Sequence, residues 1–374
     1  MKRLLIMPSL LSILLIGGCI PSFGEKEEVI QDGETDVEEM VIIPEVQLKD
    51  AYYRTILPFK KGASRGYTGS TNTKYDVKEA EEGLLRLSAQ TFDTKTHFFQ
   101  EGQYINEKTA RLWLSRKSEE NELGLNPSIK EGMSEEDIAN DAPVYLARIV
   151  EQNYLVLTDD NKVQLAGMSI GLTLNTVHYS KSGTETTISK EVIEAEGMKL
   201  GEEVIRRLRA EEGLGDIPIV IGLFKQEKRN SIAPGSYFAK TVAEKGKATP
   251  SGWKIVDEEY VLFPAATNDE KFRETDTAFR NFKQAIDDYF PSFVNVIGRG
   301  LYTDGSLRSL EVEIPIQFFG TSETIGFTQY MTGLVVKYFP NVQTEVSITS
   351  VNGPEALIVK EAGNEEPYVH IYGH

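Results

Sequence analysis

Residues 163–175, VQLAGMSIGLTLN, and 217–224, IPIVIGLF, decide the fold. In the first run Val163, Leu165, Met168, Ile170, Leu172 and Leu174 fall largely on one face of a long strand, with Gly167 and Gly171 as expected bulge positions. The second run is short, apolar and β-branched, which is the composition of a buried strand. Between them Ser189 can cap a helix to about Ala210, with Ile193, Met198, Leu200, Val204, Ile205 and Leu208 as its apolar stripe. The stretch therefore reads strand, helix, strand.

The same order returns downstream. LEVEIPIQFFG (310–320), a helix starting at Thr321 or Ser322, and VQTEVSITSVNG (342–353) echo the first unit. This reads as a divergent internal duplication, against the plain alternative that any α+β chain gives such a rhythm. Ahead of the second unit, a helix over Phe272 to Tyr289 puts Phe279, Phe282, Ile286 and Phe290 on one side. Asp304-Gly305 then marks a hairpin turn. The fold class is α+β, with two globular parts of mainly antiparallel sheets packed by helices.

Upstream, a helix fits Val77 to Gln90, with Asp76 as N-cap and Glu79 at capping-box spacing. Another fits Asn106 to Arg116. The span FKQEKRNSIAPGSYFAKTVAEKGKATPSGWKIVDEEYVLFP (224–264) reads as a long irregular insertion. Residues 51–264 form one expected domain and 265–374 the other.

The first 19 residues, MKRLLIMPSLLSILLIGGC, carry a basic head at Lys2 and Arg3, an apolar run from Leu4 to Ile16, and a small pair before Cys19. That is a secretory signal, too short for a comfortable membrane span. With Ile16, Gly17 and Gly18 it resembles a lipobox, which places cleavage after Gly18 and lipid on Cys19. A plain signal peptide with a chance cysteine is the alternative. Cys19 is the only cysteine of 374, so a disulfide within the chain is impossible. Residues 19–50 are acidic and lack an apolar period, so they read as a flexible tether in which MVIIPEVQL can add an edge strand. The protein is thus expected on the outer face of the cell membrane, held by the lipid.

Net charge is −17 and falls by two more when Lys2 and Arg3 leave with the signal. Such an excess of carboxylates argues against nucleic acid and against electrostatic docking on anionic lipid. His97, His178, His370 and His374 never take a metal-ligand spacing, and neither a GxSxG elbow nor a P-loop occurs. No cofactor is expected.

Three clusters remain as candidates for chemistry. Glu101, with Arg65, Gln100, Gln103 and Tyr104 nearby in sequence, suits a polar binding site; the same residues suit backbone satisfaction in a tight turn at Gly102. Tyr237, Phe238 and Trp253, among Lys240, Lys245, Lys247 and Lys254, suit a platform for carbohydrate or anionic wall polymer, or else an ordinary hairpin. Glu311 and Glu313 share a strand face, which fits paired-carboxylate cleavage or a solvated face.

The runs GLLRLSAQTF (83–92), HFFQEGQYIN (97–106) and LGLNP (123–127), behind a lipobox, resemble the CamS-type sex pheromone precursor lipoproteins of Gram-positive bacteria. The resemblance implies that a hydrophobic fragment of the cleaved signal peptide acts as a mating pheromone. Here that fragment would be Ser12 to Gly18, SILLIGG. For the globular part the expectation is a module binding a cell-wall polymer, carbohydrate or peptide. The rival is an envelope hydrolase using Glu101 or Glu311.

Overall fold

The computed structural model describes residues 27–31, 39–44, 46, 48, 52–65, 67, 69–266, 269–289, 295–317 and 320–373. The signal segment, Gly18, Cys19 and Phe290 lie outside the described residues. The fold is α+β, built on two large mixed sheets.

The first sheet begins with β1 (Glu27–Gln31), β2 (Glu39–Ile43) and β3 (Arg54–Thr55), followed by α1 (Lys74–Ser88) and β4 (Phe98–Glu101). Next come α2 (Glu107–Leu114), α3 (Glu135–Asp141), β5 (Leu146–Leu157) and β6 (Lys162–Asn175). A small separate hairpin, β7 (Val177–Tyr179) and β8 (Glu185–Thr187), leads into α4 (Lys190–Leu208). Then β9 (Ile219–Gln226), β10 (Ser236–Ala243) and β11 (Lys254–Ile255) complete the sheet in the order β11-β10-β9-β6-β5-β4-β3.

The second sheet holds β12 (Glu258–Phe263), β13 (Ile297–Thr303), β14 (Ser306–Pro315), β15 (Gln343–Ser350), β16 (Gly353–Lys360) and β17 (Tyr368–Ile371), in that spatial order. Helix α5 (Arg273–Tyr289) joins β12 to β13, and α6 (Thr321–Tyr338) joins β14 to β15.

Each sheet has the same central plan. An antiparallel hairpin, a crossover helix and a second hairpin are joined by one parallel pair: β6 with β9 across α4, and β14 with β15 across α6. The strand–helix–strand echo in the sequence is therefore a repeated topology. In the first unit Met168, Ile170, Leu172 and Leu174 pack with Val204, Ile205 and Leu208 of α4. In the second, Phe279, Phe282 and Ile286 meet Phe327, Met331 and Val335, with Val312, Ile314, Val346 and Ile348 beneath. Ser189 caps α4 as its position implied, its hydroxyl accepting from Val192 N.

Several expectations are corrected. Gly171 is no bulge position: a Cβ there would lie 2.6 Å from Tyr237 Oη, so the glycine lets that ring lie close on the sheet. Gly167 does adjoin a register shift, between Tyr154 and Leu155 on the facing strand. Helix α1 starts three residues early, because Thr73 and not Asp76 accepts from the first-turn backbone, its Oγ1 lying 3.1 Å from Asp76 N. Asp76 instead accepts Gly235 N at 2.7 Å and Glu227 N at 3.2 Å, tying the helix start to the β9–β10 connection.

The expected insertion holds three strands, β10, β11 and β12, and the end of β9. β10 is an interior strand, its SYFAKTVA alternation disguised by Gly, Pro and Lys on either side. β12 belongs to the second sheet, which puts the division between sheets before Glu258 and not at 264. Within the expected tether the edge strand foreseen in MVIIPEVQL is present as β2, while β1 is a strand that the tether reading lacked. β1 and β2 pair antiparallel, β1 meets β6 in parallel, and Val41 and Ile43 are buried with Ile56, Phe98, Leu155 and Val163.

Helix α1 lies between the sheets. Ala80, Leu84 and Leu87 pack on Val150, Phe224 and Tyr237 of the first sheet. From its other side Arg86 donates to both oxygens of Glu258 on β12, at 3.1 and 2.8 Å, and to Glu79 at 2.6 Å. Tyr260 completes the joint by donating to Glu79 at 2.7 Å. Further along, the Arg299 guanidinium sits 5.0 Å above the Tyr75 ring.

The β13–β14 hairpin turns where Asp304 and Gly305 take φ of 51° and 75°, a pair of left-handed residues that matches strand twist. Gly305→Ala is expected to lower stability by about 1 kcal/mol, read in urea unfolding, because a Cβ is disfavoured in that conformation.

Candidate functional site

The residues that lead to a site are those of the FFQEGQYI turn. Along β4, Phe98 and Gln100 are buried toward one face, while Phe99 and Glu101 face α1. Glu101 is fixed from outside the sheet: Gly62 N donates to its Oε2 at 2.6 Å, and Arg65 Nη1 lies 3.8 Å from its Oε1. Ala63 N donates to Gly102 O at 2.8 Å, so Gly62 and Ala63 are pinned along the turn. Gln103 adds to this, its Nε2 donating to Lys61 O and Glu101 O. The Arg65 guanidinium also packs 5.3 Å above the Phe59 ring.

The turn itself is organised from the neighbouring strand. Glu151 on β5 accepts from three consecutive backbone N–H groups: Gln103 at 2.9 Å, Tyr104 at 3.0 Å and Ile105 at 2.7 Å. Burial pushes the Glu151 carboxyl up, and those three donors pull it back. Gly102 permits the approach, since a Cβ there would lie 2.4 Å from the Glu151 Cβ. The turn-building role expected for this stretch is thus filled by a glutamate from another strand.

These elements enclose a cleft of about 410 Å³. Gly62, Ser64, Arg65 and Tyr67 line it together with Glu101, and α1 contributes Val77, Glu81, Glu82 and Leu85. Phe99 and Val150 contribute apolar lining, beside Arg148 and Gln152 from β5. The polar groups are held in place. Arg148, buried, donates to the Glu81 carboxylate and to Val77 O; Gln152 Nε2 donates to Glu81 O at 2.8 Å and its Oε1 accepts from Tyr154. Glu82 differs, its ion-pair partner among the described residues being Lys78 at 3.7 Å. Partial burial first, then the nearby Glu311, push its carboxyl up against the pull of Lys78 and Arg86.

Of the residues singled out in the sequence, Arg65 and Glu101 line this cleft and Gln103 stands at its rim. Gln100 is buried away from it, with no partner for its Nε2, and Tyr104 packs against the main core. The aromatic platform does not form. Tyr237 is fully buried and donates to Ala80 O at 2.6 Å, Phe238 is buried in the core on the α4 side, and Trp253 packs against Gly201 of α4. Alternation along β10 sends the first two rings to opposite faces.

Glu311 and Glu313 do share a face, but both engage Arg299, at 3.2 and 2.7 Å. They sit on the second sheet and Glu101 on the first. The third run, LGLNP, is structural: buried Asn126 accepts from Leu146 N and donates to Leu146 O and Leu114 O. Sequence reasoning missed Glu151, Arg148 and Gln152. The signal for Glu151 and Gln152 was a polar run, Glu151-Gln152-Asn153, in the middle of a strand that is otherwise apolar but for Arg148. Among the described residues no three His, Cys, Asp or Glu gather as a metal site, and no helix is long and apolar enough to cross a membrane.

Residues 59–366 match the family described as CamS sex pheromone cAM373 precursor. Two solved structures are similar over most of the chain. The sex pheromone precursor from Lactobacillus salivarius subsp. salivarius UCC118 is 31% identical, with a TM-score of 0.82 over 89% of this chain and 99% of its own. The C-terminal domain of the sex pheromone staph-cAM373 precursor from Staphylococcus aureus is also 31% identical, with a TM-score of 0.71 over 82% of this chain and 99% of its own. No curated protein matches the chain.

Proposed function

The chain belongs to the CamS sex pheromone precursor family, and from that premise we propose an exported lipoprotein whose signal segment is also a product and whose folded part binds an envelope ligand. The observation that carries the first half is the place of Cys19. It is the sole cysteine and directly follows an apolar run and two glycines, where a lipid acceptor belongs. Lipid on Cys19 would hold the protein on the outer face of the membrane, and SILLIGG would be the peptide left from the signal. For the folded part, support comes from the cleft beside α1. Its polar groups are fixed by internal hydrogen bonds, and its volume lies within the range of small-ligand sites.

One strain pair tests the export half. Cells carrying the wild-type chain and fed a palmitate analogue are expected to label the protein in the membrane fraction and to release SILLIGG into the medium, seen by mass spectrometry. Cys19→Ala is expected to lose both signals. Unchanged label in the variant would sink the lipidation reading.

A further inference from the structure

The charge inside the cleft is not balanced. Glu81 and Arg148 satisfy each other, and Glu101 is taken up by Gly62 N and, at the mouth, by Arg65. Glu82 has Lys78 3.7 Å away and also feels Arg86, while Glu311 of the second sheet adds a like charge. The lining as a whole carries four carboxylates, Glu81, Glu82, Glu101 and Glu151, against the two guanidiniums of Arg65 and Arg148. A ligand cation beside Glu82 would offset that excess of carboxylates in the lining. The overall charge of −17 draws cations toward such a site.

Arg65 also lines the cleft, and its side chain is 57% exposed. Its guanidinium has more N–H donors than the 3.8 Å contact with Glu101 uses, so it can take a carboxylate or a carbonyl from a ligand. Leu85, Phe99 and Val150 line the same cleft and offer apolar surface suited to an aliphatic side chain. A volume of about 410 Å³ suits two or three residues rather than a polymer chain.

We propose that the cleft binds a short peptide with a free amine, its ammonium at Glu82, its carboxylate or a backbone carbonyl at Arg65, and an aliphatic side chain over Leu85, Phe99 and Val150. This rests on the reading of the cleft as the ligand site. It differs from a carbohydrate site in requiring the amine.

Calorimetric titration of the full chain with alanyl-leucyl-alanine, and with its N-acetyl form, tests the proposal when paired with hydrogen exchange of residues 62–67 and 98–105. The free peptide is expected to bind and to protect both segments. Acetylation should weaken binding about tenfold, and Glu82→Gln about fivefold, as expected for a half-exposed charge pair. Glu82 is exposed on α1, so its variant should keep the wild-type unfolding curve. Equal binding of the acetylated peptide with the same protection would overturn the amine requirement and leave the cleft as the site. Wild-type affinity in Glu82→Gln would overturn the placement of the ammonium. If neither peptide protects the two segments, both the peptide class and the cleft reading fail.

Discussion

Replacing Arg86 by methionine is expected to destabilise the folded chain by about 3–5 kcal/mol, measured by urea unfolding at neutral pH. The guanidinium joins Glu79 of α1 to Glu258 of β12, two carboxylates of which each side chain is only 5–6% exposed. Methionine keeps much of the volume but leaves both charges buried without their cation. The loss should depend on pH in a definite direction. Burial already raises the Glu79 carboxyl above its ordinary 4.5, and Arg86 pulls it down. Removing Arg86 raises it further. A carboxyl raised in the folded state favours folding below its unfolded value, and that favour is lost as pH rises through the folded value. The deficit of the variant should therefore be largest at neutral and alkaline pH and should shrink as the solution is acidified toward 4.5. Adding Glu258→Gln should recover part of the loss by removing one of the stranded charges. A variant as stable as wild type, or a deficit that grows on acidification, would contradict this account of the joint.

Glu151→Leu is expected to cost about 3 kcal/mol and to loosen the cleft rim. Three buried or half-buried N–H groups lose their acceptor together, at about 1–3 kcal/mol each, and relief of the buried carboxylate offsets part of the sum. Glu151→Gln keeps one accepting oxygen and should fall between. Amide exchange separates this from a general loss of core: Gln103, Tyr104 and Ile105 should exchange faster than the rest of the first sheet. If these three amides keep their protection, the carboxylate is not what holds the turn.

Much of the architecture was legible because it obeys local periodicity. VQLAGMSIGLTLN and IPIVIGLF are strands on either side of a helix that Ser189 caps, and Asp304-Gly305 turns the hairpin it signals. What was hidden depends on partners distant in sequence. SYFAKTVA sits inside the sheet because β9 and β11 flank it, a fact its Gly- and Lys-rich surroundings conceal. The same holds for the site. Arg65 and Glu101 stood out as polar residues in a loop and a turn, and both reach the cleft. Glu151 could not be recognised from composition, because its task is set by N–H groups 46 to 48 positions away across two strands. Tyr237 stood out for the opposite reason. An aromatic among lysines suggests a surface, but its ring fills the space above Gly171 and Gly222.

The joint between the sheets bears on how the protein comes into being. Arg86 meets Glu258 across 172 positions, so a chain growing from its N-terminus completes α1 long before β12 exists. During that interval the side of α1 that awaits the second sheet displays Glu79 and Arg86, already able to pair with each other. An unfinished apolar seam of the same size would attract other nascent chains. A charged one stays wetted, so the half-made molecule can wait for its remainder without sticking to its neighbours.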